Sequence, residues 1–199
     1  MWVPPLRRDI RVLLSRVKNP FFEHGDAEYY VAERGGRVVG RIAAVENRAH
    51  NAYHGDQTGF FGFFECIDDA AVARSLFAAA AVWLKARGLD VMRGPTSFST
   101  NDESGLLIDG FDSPPTILNP HNPAYYAPLL EQDGFTKAKD LYQYRVTNPV
   151  LPERLLERVQ RIVDRQELTL RALDKRRFAD EVERIKVIYN AAWERNWGF

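Results

Sequence analysis

Several features that define other protein classes are missing from these 199 residues. A single cysteine, Cys66, leaves no internal disulfide bond and fits a reducing compartment. No apolar run approaches the roughly 20 residues that a membrane-spanning helix needs. The 27 basic side chains equal the 27 acidic ones, so the positive field that nucleic-acid binding usually requires is lacking. We therefore expect a cytoplasmic protein with no nucleic-acid and no membrane partner.

The chain does have enough apolar material for a packed core. It is 45% hydrophobic and 12% aromatic, which argues against disorder. Its length suits one domain, or one domain and part of another. The aromatic content also leaves open a homodimer, in which copies would share part of the apolar surface.

Hydrophobic periodicity predicts an alternation of helices and strands. Helices are predicted at residues 6–17, 70–87, 124–132, 153–165 and 177–197. Strands are predicted at residues 28–34, 37–46, 58–66, 89–93, 136–146 and 167–173. Between them we expect a polar loop at 47–57 and a long loop at 94–120. Loops of that length are often functional.

Local signals refine three of these predictions. Gly35 and Gly36 suit a two-residue hairpin turn, in which both residues take positive φ. Asp68 or Asp69 is expected to cap the alanine-rich helix that follows. The strand at residues 58–66 reads TGFFGFFEC and carries phenylalanines on both faces, so it should lie inside the sheet.

The segment NPHNPAYYAPLLEQDGF at residues 119–135 resembles the last helix of a GNAT-type N-acetyltransferase, and the strand predicted after it resembles the last strand. The order of elements over residues 28–146 is similar to the same superfamily. Several segments resemble a bacterial group of uncharacterised tandem GNAT-like proteins: WVPPLRRD, KNPFFEH, GFFGFFEC, STNDESGLLIDGF and NAAWERNWGF. The resemblance implies a mixed α/β, α+β-like acyl-CoA N-acyltransferase fold with a C-terminal helical extension.

The resemblance also implies a domain organisation. Residues 1–27 would form a helical arm and residues 28–147 the GNAT-like core. Residues 148–199 would comprise a linker helix and a strand and helix that look like the start of a second GNAT-like domain. The chain would then be truncated at both ends. Alternatively, residues 167–197 pack back and replace a missing first strand and helix.

The function implied by the resemblance is transfer of an acetyl or other acyl group from CoA to a small-molecule or peptide amine. CoA would lie between the strands at 58–66 and 89–93, with its pyrophosphate at the start of the central helix. The implied cofactor-binding residues are Phe64, Cys66, Ile67, Ala70, Ala71 and Asn122. No metal is implied.

Glu65 stands where many such enzymes keep a general base, and Tyr126 is the corresponding candidate for the acid. Each has a structural alternative. Glu65 can bond to a neighbouring strand, and Tyr126 can serve as an amphipathic anchor. The usual position of the acid tyrosine is occupied here by Leu130.

The long loop at residues 94–120 supplies candidates for binding the substrate amine. Asn101, Asp102 and Glu103 follow a strand end, and a carboxylate there could pair with the charge of an amine. The alternative is a network of side-chain turns that holds the loop itself.

Two further sequence features bear on function. The central helix starts at Asp68 and Asp69 without the glycines usual for CoA binding, which favours capping and keeps open a degenerate, non-catalytic ligand-binding or interaction module. His50 and His54 lie four residues apart beside Asp56, in a segment that we interpret as a surface loop rather than a metal site.

Overall fold

The computed structural model describes residues 4–146, 150–167, 169 and 171–197. These residues separate into two compact units, one that ends at Lys139 and one that begins at Asp140. The predicted mixed α/β fold class is confirmed. The first unit contains β1 (Gly25–Arg34), β2 (Arg37–Asn47), β3 (Thr58–Cys66) and β4 (Val91–Arg93), with α1 (Arg7–Leu13), α2 (Arg48–His54), α3 (Ala70–Lys85) and α4 (Tyr126–Gln132). The second contains α5 (Glu153–Arg165) and α6 (Phe178–Trp193).

The sheet has the strand order β1-β2-β3-β4. The first three strands are antiparallel, and β4 runs parallel to β3. Gly35 and Gly36 have φ values of 58° and 74°, as the hairpin between β1 and β2 requires. The predicted strands of this hairpin, the parallel β4 and the interior position of β3 are therefore confirmed.

A β-bulge in β3 explains how four phenylalanines within five residues are distributed over both faces of the sheet. Ala43 pairs with Gly62 and Arg41 with Glu65, so β3 has one residue more than β2 over this interval. Phe63 sits at the bulge with φ 49°. The extra residue lets Phe61 and Phe64, three apart, face the same side of the sheet.

Each face of β3 contributes to a different apolar cluster. The first cluster, beneath α3 and α4, includes Phe61, Phe64, Leu76, Phe77 and Leu130. The second cluster lies on the other face and is closed by the polypeptide before β1 and after β4. Its buried members are Phe21, Ala27, Ala43, Val45, Phe60 and Phe98. The sheet is thus covered on both faces, as its apolar content predicts.

The structure corrects two predictions for residues 47–146. Residues 48–54 form helix α2, where a polar loop is expected; Asn47 caps it and Gly55 ends it with φ 66°. Residues 136–146 are irregular, where a strand is expected. Tyr142 and Tyr144 are exposed there, and no ladder partner is found within the described residues. A segment in which apolar and polar residues alternate forms a stable β-strand only when an adjacent strand provides hydrogen-bond partners.

The second unit consists of α5, α6 and a short 3-10 turn at Lys175–Arg177. Helix α5 has the predicted bounds. The strand predicted at residues 167–173 is not seen at its described positions, and residues 168 and 170 lie outside them. Glu167 has φ 51°, which interrupts extended backbone, and Arg171 instead donates two hydrogen bonds of 2.8 Å to Glu181.

Candidate functional site

The long loop after β4, predicted at residues 94–120, is held against β3 by hydrogen bonds. Thr96 donates its N–H to the Phe61 carbonyl at 2.7 Å, and Phe63 donates to the Ser97 hydroxyl at 3.3 Å. Gly62 permits this approach, because a Cβ there would lie 2.2 Å from the Thr96 carbonyl oxygen. The loop therefore continues alongside β3 to the bulge. This is the side of β3 on which the resemblance implies that CoA would bind, and that binding stays a prediction.

The loop then folds back on itself and returns two carboxylates towards the sheet. Thr96 and Ser104 form a bridge, with their hydroxyl oxygens 3.1 Å apart. Ser97 donates its N–H to the Glu103 carbonyl at 2.9 Å. These contacts between residues 96–97 and residues 103–104 fix the position of Glu103 relative to the end of β3.

Glu65, Arg41 and Glu103 form an electrostatic group at that place. Arg41 and Glu65 are cross-strand partners, with Nη2 of Arg41 3.4 Å from Oε1 of Glu65. Glu103 remains accessible as a residue, yet partial loss of hydration around its carboxylate raises its pKa. The charge of Glu65 raises this pKa further and the charge of Arg41 opposes it. The structure thus brings the predicted base and one predicted substrate-binding residue together.

Asp102 and Asn101 take part in the internal network that the alternative interpretation describes. The Ser99 hydroxyl donates to Asp102 at 2.8 Å, and Asn101 donates its N–H to the Ser99 hydroxyl at 3.2 Å. Burial raises the pKa of Asp102 and the Ser99 hydrogen bond lowers it, with burial the larger effect. Asp102 therefore supports the loop, and Glu103 is the more available of the two carboxylates.

Tyr125 and Tyr126 both bind the peptide groups of Cys66. The Cys66 N–H donates to the Tyr126 hydroxyl at 3.0 Å, and the Tyr125 hydroxyl donates to the Cys66 carbonyl at 2.9 Å. Tyr126 is only 4% exposed, and its burial raises its pKa. This geometry corresponds to the anchoring alternative; the acid role of Tyr126 stays a prediction. Leu130 is buried in the first cluster.

The start of α3 is occupied by a carboxylate from the chain itself. Asp69 accepts hydrogen bonds from Ala71 N–H at 2.9 Å and Val72 N–H at 3.1 Å. Its second oxygen accepts from Arg34 at 2.8 Å, and this bond, followed by the backbone bonds, lowers the pKa of Asp69. Asp69, not Asp68, is the cap. The amides that the resemblance assigns to pyrophosphate are thus engaged by Asp69.

The remaining predicted cofactor residues are dispersed. Phe64 and Cys66 are buried in the first cluster, whereas Ile67 is 42% exposed. Asn122 accepts from Leu107 N–H at 2.7 Å and donates to the Leu107 carbonyl at 3.2 Å, so it pins the long loop. Ala70 and Ala71 lie in the first turn of α3, beside Asp69.

An open groove lies between α3, β4 and the residues that follow α4. Its volume is about 390 Å³, and its lining includes Phe77, Ala81, Met92 and Phe135. Arg74 and Asp133 form an ion pair of 3.3 Å at this groove. A groove with an apolar lining and a polar rim suits part of an aliphatic chain.

His50 and His54 share a face of α2, with ring centroids 4.3 Å apart. Nε2 of His50 lies 3.8 Å from Oδ2 of Asp56, and burial lowers the pKa of His50. Within the described part of the chain, no group of three or more potential ligands could hold a metal ion. Among the same residues, no helix combines the length and apolar character needed to cross a bilayer.

Arg34 and Arg41 pair with Asp69 and Glu65, and the sequence alone indicates neither pairing. Both are found on strands that the sequence predicts, and strand alternation puts Arg41 on the face of β2 that carries Ala43. The pairing of Arg41 with Glu65 depends on the bulge in β3. The position of this bulge, and so the register of β3 against β2, is not indicated by any turn residue in the sequence.

Comparison with known proteins adds two bacterial relatives. The chain is 39% identical over 204 residues to Protein YghO of Escherichia coli, a match that covers all of this chain and 50% of that protein. It is 40% identical over 200 residues to a Bacterial ceramide synthase of Caulobacter vibrioides, covering all of this chain and 52% of that protein. The chain spans about half the length of the curated relatives it matches. No family model and no solved structure matches.

Proposed function

We propose that this protein is an N-acyltransferase that moves an acyl group from acyl-CoA to the amine of a long-chain amino alcohol. The observation that carries the proposal is the 40% identity, over the whole chain, to a protein named Bacterial ceramide synthase. A ceramide is an amide of a fatty acid and a long-chain amino alcohol. The GNAT resemblance implies formation of the same bond, so it also favours amide synthesis.

Glu103 is the residue best suited to act as the base. An amine that attacks the thioester carbonyl forms a C–N bond, breaks the C–S bond and must lose a proton as the CoA thiolate departs. Glu103 is an exposed residue whose carboxylate has a raised pKa, which makes it a better proton acceptor than an ordinary glutamate. Glu65 adds negative charge nearby, which attracts the ammonium form of the substrate. Glu65 remains the second candidate for the base.

The acyl donor would be acetyl-CoA or a longer acyl-CoA, and the relative's name favours a long chain. The groove beside β4 offers an apolar surface for part of one aliphatic chain. Arg74 at its rim is paired with Asp133, so the rim is polar but carries no net charge from this pair.

A non-catalytic ligand-binding module is the second candidate function. Asp69 fills the start of α3, and the Tyr126 hydroxyl is engaged with Cys66. Both arrangements use groups that a catalytic GNAT-type site would keep for cofactor and acid. Acyl-CoA binding separates the two candidates when it is measured alongside turnover.

The test is to incubate the purified chain with palmitoyl-CoA and sphinganine. Mass spectrometry should detect the N-acyl product, and a thiol reagent should detect free CoA. Glu103→Gln should lower the rate at least about 100-fold, since general-base catalysis contributes about that much. The exposed Glu131 on α4 provides the control, and Glu131→Gln should leave the rate unchanged. A folded chain that binds palmitoyl-CoA without forming the amide would favour the non-catalytic module.

A further inference from the structure

The segment from residue 6 to residue 18, which we name the basic arm, carries a concentrated positive charge. It contains one acid, Asp9, and five cationic residues: Arg7, Arg8, Arg11, Arg16 and Lys18. The whole chain has a formal net charge of zero, so this excess is local. A local excess can create a binding field that the total charge conceals.

The arginines of the arm occupy one face of a helix that is fixed to the sheet. Arg7, Arg8 and Arg11 fall within about 100° of one another on α1, and all three are exposed. Leu13 and Leu14 pack against the second apolar cluster. The packed leucines fix the C-terminal end of α1 to the sheet, while the three arginines stay exposed to solvent.

Further contacts hold the arm in this orientation. The Asn19 side chain donates to the Leu13 carbonyl at 2.6 Å and accepts from Phe21 N–H at 3.0 Å. Arg16 donates to Asp26 and to the Ala27 carbonyl on β1. Arg16 is thus used internally, and the other cations of the arm face solvent.

These outward cations have no carboxylate partner in the part of the chain that the structure describes. The ion pairs of this region involve Arg16, which contacts Asp26 and Glu28. Arg7, Arg8, Arg11 and Lys18 take part in none. An external anionic surface can therefore attract them without first breaking an internal pair.

Exposed apolar side chains alternate with the free cations. Leu6 is 70% exposed, Val12 41% and Val17 94%. Arginine and lysine with interspersed aliphatic residues are typical of segments that lie on a membrane surface. A nucleic acid would use the cations but would give the exposed Val12 and Val17 no apolar surroundings.

We propose that the basic arm binds the surface of an anionic lipid bilayer. Arg7, Arg8, Arg11 and Lys18 contact headgroup phosphates, and Val12 and Val17 enter the boundary of the acyl chains. This inference goes beyond the proposed acyl transfer and holds independently of it. It replaces the expectation of no membrane partner, which rested on the absence of a spanning segment. Surface binding would place the protein where long-chain amines reside.

Vesicle co-sedimentation tests the proposal without requiring activity. The chain should bind vesicles that contain phosphatidylglycerol and not vesicles of pure phosphatidylcholine. The triple variant Arg7→Glu, Arg8→Glu, Arg11→Glu should bind about 100-fold more weakly, since each basic residue near such a surface contributes about a factor of five or more. Binding should also weaken at high salt, which screens exposed charges. Failure of the wild-type chain to bind anionic vesicles would overturn the proposal.

Three exposed cations elsewhere in the first unit provide a control of equal charge. Arg37, Lys85 and Lys139 can be changed to Glu together, which alters the net charge by the same amount. This variant should bind within about threefold of the wild type, apart from the small effect of net charge. Equal losses in both triple variants would show attraction by total charge alone and would refute a specific role for the arm.

Val17→Asp covers the case in which the triple variant does not fold. Its side chain is 94% exposed, so the substitution removes no internal packing. It should weaken vesicle binding about tenfold by loss of apolar insertion. Unchanged lipid binding by folded Val17→Asp, or tighter binding to duplex DNA than to anionic vesicles, would contradict the lipid assignment.

Discussion

The Tyr126→Phe variant tests whether this tyrosine anchors the end of β3 or donates a proton. The change removes the hydroxyl and keeps the ring, which packs against Phe64 at a centroid distance of 5.1 Å. The Cys66 N–H, now bonded to that hydroxyl at 3.0 Å, loses its acceptor. Cys66 is 6% exposed, so water cannot readily replace the bond. A buried donor left unsatisfied costs about 1–3 kcal/mol of unfolding free energy.

This cost can be measured as a change in thermal midpoint. For a chain of this size, a loss of about 1–3 kcal/mol corresponds to a decrease of about 2–12 °C in Tm. Tyr125→Phe is the paired control, because it removes only a donor to the Cys66 carbonyl from a half-buried residue. Its effect should be about 1 kcal/mol or less. Acyl transfer per folded molecule should survive Tyr126→Phe at low temperature. An unchanged Tm together with lost activity would refute the anchoring interpretation and support the acid role.

Two further predictions follow from pKa values. Partial burial and the charge of Glu65 raise the pKa of Glu103 in the folded protein, so its contribution to stability is complete below the unfolded pKa and is lost as the pH rises through the folded one. Glu103→Gln should therefore raise Tm at pH 8 more than at pH 4, and a lower Tm at both would contradict this. Burial, with smaller effects of Asp69 and Asp68, raises the pKa of the Cys66 thiol to about 11. At pH 8, iodoacetamide should then alkylate native Cys66 at least about 100-fold more slowly than in urea, and equally fast native labelling would contradict the burial.

The predictable part of this fold is the part that local chemistry decides. The Gly35-Gly36 turn sets the β1–β2 hairpin, and the phenylalanine content of β3 requires an interior strand. Helix α5 has its predicted bounds because a periodic apolar stripe and Pro152 define them. Residues 136–146 have an equally regular pattern, yet form no strand, because a strand depends on a partner that its own sequence does not specify.

The candidate site was less predictable for the same physical reason. Sequence position indicates Glu65 and the polar loop separately, and their residue types suggest acid–base chemistry. Their proximity results from the bulge at Phe63 and from the approach of Thr96 to Gly62, both of which are tertiary features. Asp69 was predicted as a possible cap, but its bond to Arg34, from the far end of β1, was not.

The bond network of Asp69 has a consequence for any anion that approaches α3. The carboxylate is a tethered competitor, whose effective concentration at the helix start is set by the backbone and not by the solution. A phosphate would have to displace it from two amides and leave it with Arg34, or recruit Arg34 as well. Binding there would be an exchange of one anion for another. The measured affinity of the phosphate would therefore be the difference between its own binding free energy and that of the Asp69 carboxylate, and would be weaker than at a helix end with free amides.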